Sequence, residues 1–194
     1  MSSIAVLDEI RMGIYRNLFL PTSLLSGYED SASNFARGYY GTPCSLVDAA
    51  YNSIRHLAEA CDLLHGILFY RTYGGGTGSG LGCSKSRYKL LNGFRLGLLQ
   101  YTADEFCKVS RMDFGVMPGV TLSSGPVEPY NAVLACQFPL DNVNLVSLVD
   151  NLALQRICSG QLKIQKPSFT SLNRVIAQVI KVVQNWERIL LTIF

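Results

Sequence analysis

The run Gly74-Gly75-Gly76-Thr77-Gly78-Ser79-Gly80 comes three residues after the apolar stretch Ile67, Leu68, Phe69 and Tyr70. A strand thus feeds a loop in which five of seven residues lack a side chain, and a backbone of that kind can lay several N–H groups against one anion. A helix beginning there adds the partial positive charge of its N-terminus. The chemistry indicated is phosphate binding. Three familiar forms of phosphate or nucleophile loop do not fit. No Lys closes the run as a P-loop requires, the glycine spacing is not that of a dinucleotide fingerprint, and Ser79 lies between Gly78 and Gly80 with Thr77 and Leu81 where a nucleophile elbow needs glycines.

Around this loop the pattern is α/β. Apolar positions at helical spacing predict a helix over 45–65, and strands are expected at 67–73, 112–117 and 145–150. Short helices are expected at 129–137 and 153–158, and Pro167 introduces a long last helix from about 170. Strands that alternate with helices pair in parallel, and ligands then bind at the carboxyl ends of the strands.

A hydrophobic content of 48% in 194 residues, with mean hydropathy +0.21, suits a sheet covered on both faces and excludes disorder. No uninterrupted apolar stretch reaches the length of a membrane span, and residues 1–8 lack the pattern of a secretory leader, so no membrane partner is expected. The six cysteines form no C-x-x-C pair and read as buried free thiols rather than a zinc site. His56 and His65 carry no partner motif and read as surface or packing residues. Lys85, Arg87, Lys89 and Arg95 account for more than the whole excess charge of +3, so the basic balance is local and no nucleic-acid surface is implied.

Several blocks in fixed order carry a resemblance. GGGTGSG at 74–80, VLDEIRMGIYRNLFLPTSLLSGYEDSASNFARGYY at 6–40, VEPYN at 127–131, VDN at 149–151 and PSFTSLNRVIAQVI at 167–180 together resemble the tubulin family. The EDSASNFARGYY block is closer to alpha- than to beta-tubulin. The fold implied is a partial Rossmann-like GTPase domain of the tubulin/FtsZ type, with a mostly parallel sheet whose first strand is missing.

The resemblance implies a GTP site with Mg²⁺ near the phosphates. Asp30, Ser31 and Ala32 correspond to the family's ED-A-A-N phosphate segment, with Ser33 in place of an asparagine. Gly75, Gly76, Thr77, Gly78 and Ser79 match the phosphate loop, Ser124 stands for a threonine, and Glu128 matches the ribose-contacting acid. Asn151 and Asn173 match the two asparagines that read guanine, whose amides both donate and accept. Phe169 replaces the tyrosine that stacks on the base. The implied partners are a beta-tubulin-like subunit and the microtubule polymer, in the cytoplasm and its cytoskeleton. Asp30 and Glu128 are implied to bind rather than to catalyse, and the acid that promotes hydrolysis lies in an intermediate domain absent from this chain.

Two segments depart from the family. Residues 82–96 (GCSKSRYKLLNGFRL) read as an insertion between the glycine loop and its helix, which would displace the helix N-terminus from the phosphate. Residues 185–194 read as a divergent apolar helix end without a covering partner, after a nucleotide-binding region spanning 1–184. A structural GTP-binding role is the leading expectation. A degenerate chain that binds no nucleotide, and at most associates with tubulins or chaperones, is the alternative.

Overall fold

The computed structural model describes residues 3–27, 30–41, 44–83, 97–119, 125–186 and 190–193. Helix α1 (Ser3–Met12) is followed by two 3-10 turns, Arg16–Leu18 and Pro21–Ser23. Next come α2 (Phe35–Tyr40), α3 (Cys44–Glu59), β1 (Gly66–Thr72) and α4 (Gly76–Cys83). The order continues with α5 (Leu98–Glu105), β2 (Ser110–Met117), α6 (Glu128–Asn142) and β3 (Leu145–Asp150). Helices α7 (Asn151–Gly160) and α8 (Phe169–Trp186) precede β4 (Leu190–Ile193). The strands form a parallel sheet in the order β3-β2-β1-β4.

The period-two alternation of strand side chains divides the core into two sides. Leu68 on β1 and Met112, Phe114 and Val116 on β2 pack with Leu154 and Cys158 of α7 and Leu172 and Ile176 of α8. On the opposite side Ile67 and Phe69 pack with Val47, Tyr51 and Ile54 of α3 and with Leu98 and Leu99 of α5. Tyr51 stacks on Tyr101 at 4.0 Å between centroids, and Arg55 donates to the Tyr101 hydroxyl at 2.8 Å, so α3 and α5 are joined by both apolar and polar contacts. Both faces of β1 are therefore covered, as its continuous apolar run requires.

The expected strands and helices are present with adjusted ends. Helix α3 stops at Glu59 rather than continuing to 65, because the chain must turn there to bring Leu64 into the core and enter β1. Helix α6 extends past 137 to Asn142 and carries Pro139 inside it. Proline has no N–H to donate to the carbonyl four residues back. The Ala135 carbonyl so released accepts instead from the Arg71 guanidinium at 3.4 Å.

Two expectations are corrected. Helix α4 begins at Gly76, inside the glycine run, and continues to Cys83, so the 82–96 segment begins within its last turn and does not displace that helix N-terminus. Helix α5 starts afresh after Gly97, whose extended backbone (φ −72°, ψ 163°) is that of a helix cap rather than of a continuing helix. Residues 84–96 lie outside the described residues. The apolar C-terminal segment is also not a bare helix end, since Leu190–Ile193 pairs in parallel with Gly66–Phe69 and forms the fourth strand. Free thiols are found as expected, but among the described cysteines only Cys83 and Cys158 are buried, while Cys107 is exposed.

Candidate functional site: the crevice at the strand ends

The site is assembled from three segments that leave the sheet at its carboxyl edge. β1 leads through Tyr73, Gly74 and Gly75 into α4, whose first N–H groups belong to Gly76, Thr77 and Gly78. These are the groups a helix leaves without intrahelical acceptors. β2 leads through Pro118 and Gly119, and β3 leads into Asn151 at the start of α7.

Close approaches show how these pieces meet. A Cβ placed on Gly74 would stand 3.1 Å from the Pro118 side chain and 3.6 Å from a Glu128 carboxylate oxygen. One placed on Gly119 would lie 3.5 Å from the Asn151 Cβ and 3.2 Å from the Leu152 nitrogen. The glycine run, Glu128 and Asn151 thus border one crevice. Asp150 caps α7 by accepting from the Leu152 N–H at 2.9 Å, which fixes where that helix begins.

The glycines serve packing as much as ligand access. Gly76 and Gly80 lie one helical turn apart and face Gly38 of α2. A Cβ on Gly38 would come within 2.2 Å of the Gly76 carbonyl oxygen, and one on Gly80 within 2.6 Å of the Phe35 carbonyl oxygen. None of these glycines has a left-handed backbone, so close approach between two backbones is what requires them. Ser79 is buried and its hydroxyl donates to the Gly75 carbonyl, inside the helix rather than toward a ligand.

The segment before α2 closes the crevice. Ser31 is buried, and its hydroxyl pairs with the Thr77 hydroxyl at 2.8 Å. Ala32 and Ser33 follow in the left-handed region (φ 48° and 54°), and Asn34 donates its N–H back to the Ser31 carbonyl at 2.9 Å. Asn34 then caps α2, accepting from the Ala36 N–H at 2.9 Å. Two successive left-handed residues without glycine are strained, and serine suits that conformation less well than asparagine or glycine. Ser33→Gly is expected to stabilise the protein by about 0.5–1 kcal/mol in urea unfolding, provided the turn persists.

Asn131 locks the assembly. Its amide nitrogen donates to the Ser33 carbonyl at 2.7 Å and the Gly74 carbonyl at 2.9 Å, while its oxygen accepts from the Phe35 N–H at 3.0 Å. One buried amide therefore joins α6, the glycine run and the Ser31–Asn34 turn. This residue was not singled out from the sequence. The available signal was its place in VEPYN, three residues after Glu128 and so on the same face of a helix. Thr72 has no signature in the sequence either: its hydroxyl lies against the backbone of the loop, 2.6 Å from where a Cβ on Gly78 would be.

Beneath α4 lies a polar cluster. The Arg71 guanidinium donates to both carboxylate oxygens of Asp113, at 2.8 Å from Nη2 and 3.1 Å from Nε. The Tyr73 hydroxyl donates to Asp113 at 2.6 Å, and Nη1 of Arg71 reaches the Cys83 sulfur at 3.4 Å. The guanidinium also lies over the Tyr73 ring, 4.5 Å from its centroid. Gly115 allows that ring to lie flat, since a Cβ there would be 1.9 Å from its edge. Burial opposes the charge on Arg71, but the hydrogen bonds and ion pair with Asp113 prevail and hold the group firmly protonated. Burial pushes the Tyr73 phenol up and the Cys83 thiol up to about 11, so neither supplies a nucleophile near neutral pH. The cluster ties the sheet to α4 and α6 and is structural.

The remaining expected contacts are placed less tightly. Asp30 and Ala32 are exposed at the rim. Phe169 and Asn173 stand one turn apart on α8, both exposed, while Leu172 and Ile176 anchor the helix in the core. Neither is joined to the glycine loop by a hydrogen bond or ring contact among the described residues. Ser124 lies outside the described residues.

Comparison with known proteins agrees with this geometry. A family model described as "Tubulin/FtsZ family, GTPase domain" matches residues 3–88. The chain is 43% identical over 175 residues to the "Tubulin alpha chain" of Dictyostelium discoideum and 43% identical over 174 residues to the "Tubulin alpha-2 chain" of Emericella nidulans. It is 42% identical over 174 residues to the "Tubulin alpha chain" of Colletotrichum orbiculare. Each match covers 90% of this chain and 36% of the relative, so the chain spans about a third of the length of these relatives. A parallel α/β sheet with a glycine run at its crevice thus goes with a likeness to alpha-tubulins over 90% of the chain and to the tubulin/FtsZ GTPase domain over residues 3–88.

Proposed function

We propose that the crevice binds GTP and that the chain acts as an alpha-tubulin-like structural GTP-binding protein of the microtubule cytoskeleton in the cytoplasm. The observation that carries this reading is the convergence of Gly74, Glu128 and Asn151 from three successive strand ends around the N-terminus of α4. That helix start offers N–H groups and a favourable dipole to the phosphates. Thr77, held by Ser31, presents a hydroxyl at the same place, and Mg²⁺ bound with the nucleotide would neutralise phosphate charge there.

Glu128 suits a ribose hydroxyl, being an acceptor beside the loop. Asn151 and Asn173 supply amides for the guanine edge, and the exposed Phe169 ring offers an apolar face for the base. The partner that accompanies this role is a subunit of the beta-tubulin type.

Titration of the purified chain with labelled GTP, using ATP as competitor, tests the reading. Saturable binding that ATP displaces at least tenfold less well than GTP is expected, and Asn173→Ala should weaken GTP about tenfold or more through loss of a base-reading hydrogen bond. Absence of binding at millimolar GTP would overturn it in favour of a chain that retains the fold without the ligand.

A further inference from the structure

We propose that the side of β1 opposite β2 is a strand-acceptor site, and that its occupant is the chain's own β4, held by backbone pairing and replaceable by an identical segment supplied in trans. The argument begins with burial. Gly66, Ile67, Leu68 and Phe69 are buried, with Ile67 and Leu68 fully inaccessible. A strand packed on both faces cannot leave one row of N–H and C=O groups unpaired without a large desolvation cost. β2 satisfies only one side of β1, along its whole length from Gly66 to Thr72.

The second side is paired by β4 over Gly66–Phe69 alone, in the register Gly66↔Leu190 to Phe69↔Ile193. The region covered by β4 is therefore the stretch of β1 where all four residues are buried. Beyond it, Arg71 turns its polar group to Asp113, and the chain passes into the glycine run. β4 contacts α3 as well as β1, so the acceptor is a slot between a strand edge and a helix. An uncharged four-residue strand, Leu-Leu-Thr-Ile, fits a slot whose demands are backbone pairing and apolar surroundings.

Short pairing at a sheet edge is the kind of contact that opens locally and exchanges between chains. The partner that fits is accordingly an apolar strand of the same sequence, read in parallel. This differs from an unpartnered apolar tail, which would associate without register.

Hydrogen exchange on the unaltered full chain gives the first readout. In parallel pairing alternate residues of a central strand bond to opposite neighbours. Protection of the consecutive amides of Ile67, Leu68 and Phe69 is expected, whereas protection of only every second amide would overturn the proposal. Proline substitutions in the full chain give the second. Of the neighbours Leu191 and Thr192, one directs its N–H toward β1 and the other away, so Leu191→Pro and Thr192→Pro should differ. One should lower the urea midpoint by about 1 M and the other little. Equal effects of the two overturn the proposal. A peptide with the sequence of residues 187–194 (ERILLTIF) should then bind the more damaged variant and restore its midpoint, while the same peptide carrying that proline should not. Failure of the unmodified peptide to bind a variant that remains folded overturns the exchange.

Discussion

Gly38→Ala is expected to abolish the native fold, or to destabilise it by more than about 4 kcal/mol. The added methyl would fall 2.2 Å from the Gly76 carbonyl oxygen and 3.2 Å from the Gly80 Cα, all backbone atoms that no rotamer change can move. Relief requires α2 and α4 to separate, which would also disturb the Asn34 contacts and the Ser31–Thr77 hydroxyl pair. Urea unfolding followed by circular dichroism measures the loss. Gly160→Ala is the matched control: it lies in a helix with nothing near its Cβ and should be neutral or slightly stabilising. Comparable stability of Gly38→Ala and the unaltered chain would show that the two helices do not pack backbone to backbone.

The second large effect concerns the buried ion pair. Asp113→Asn is expected to cost about 3–5 kcal/mol, because the Arg71 guanidinium would remain in the core without its countercharge. The interaction itself contributes far less than that loss. Removing the whole polar set, as Arg71→Met, Asp113→Leu and Tyr73→Phe together, should recover most of the stability, since apolar groups of similar volume often replace buried pairs at little cost. Tyr73 must be included because its hydroxyl donates to Asp113 at 2.6 Å and would otherwise be orphaned. The combined variant retains one open acceptor, the Ala135 carbonyl released by Pro139, which limits the recovery. Equal destabilisation by the single and the combined changes would refute this account.

The sequence made the sheet legible because apolar runs on a doubly covered strand leave little ambiguity. The boundaries of β3 were read as they stand, and those of β1 and β2 fell within two residues. Sequence periodicity failed where tertiary packing decides. Helix α4 could not be foreseen at Gly76, as glycine disfavours helix and the close packing against Gly38 and Asn34 that favours it there is tertiary. β4 was equally hidden: Leu-Leu-Thr-Ile after a long helix reads as more helix until the side of β1 opposite β2 is known to need pairing.

The site divides in the same way. Gly75, Thr77, Glu128 and Asn151 were recognisable as residue types in recurring blocks. Asn131 was not, because an asparagine that satisfies backbone groups from two distant segments has no local signature. Ser31, expected beside a phosphate, pairs its hydroxyl with that of Thr77.

Asn131 has a consequence for how the crevice opens. Its single amide spends both N–H groups and its oxygen on two distant segments, which with its own helix makes three loosely connected pieces into one cooperative unit. The Ser31–Asn34 turn cannot fray alone without stranding a buried amide, and the Gly74 carbonyl cannot reorient without releasing the turn. The corner of the crevice around Asn131 is therefore set by folding itself, and its ordering entropy would not have to be met by a ligand.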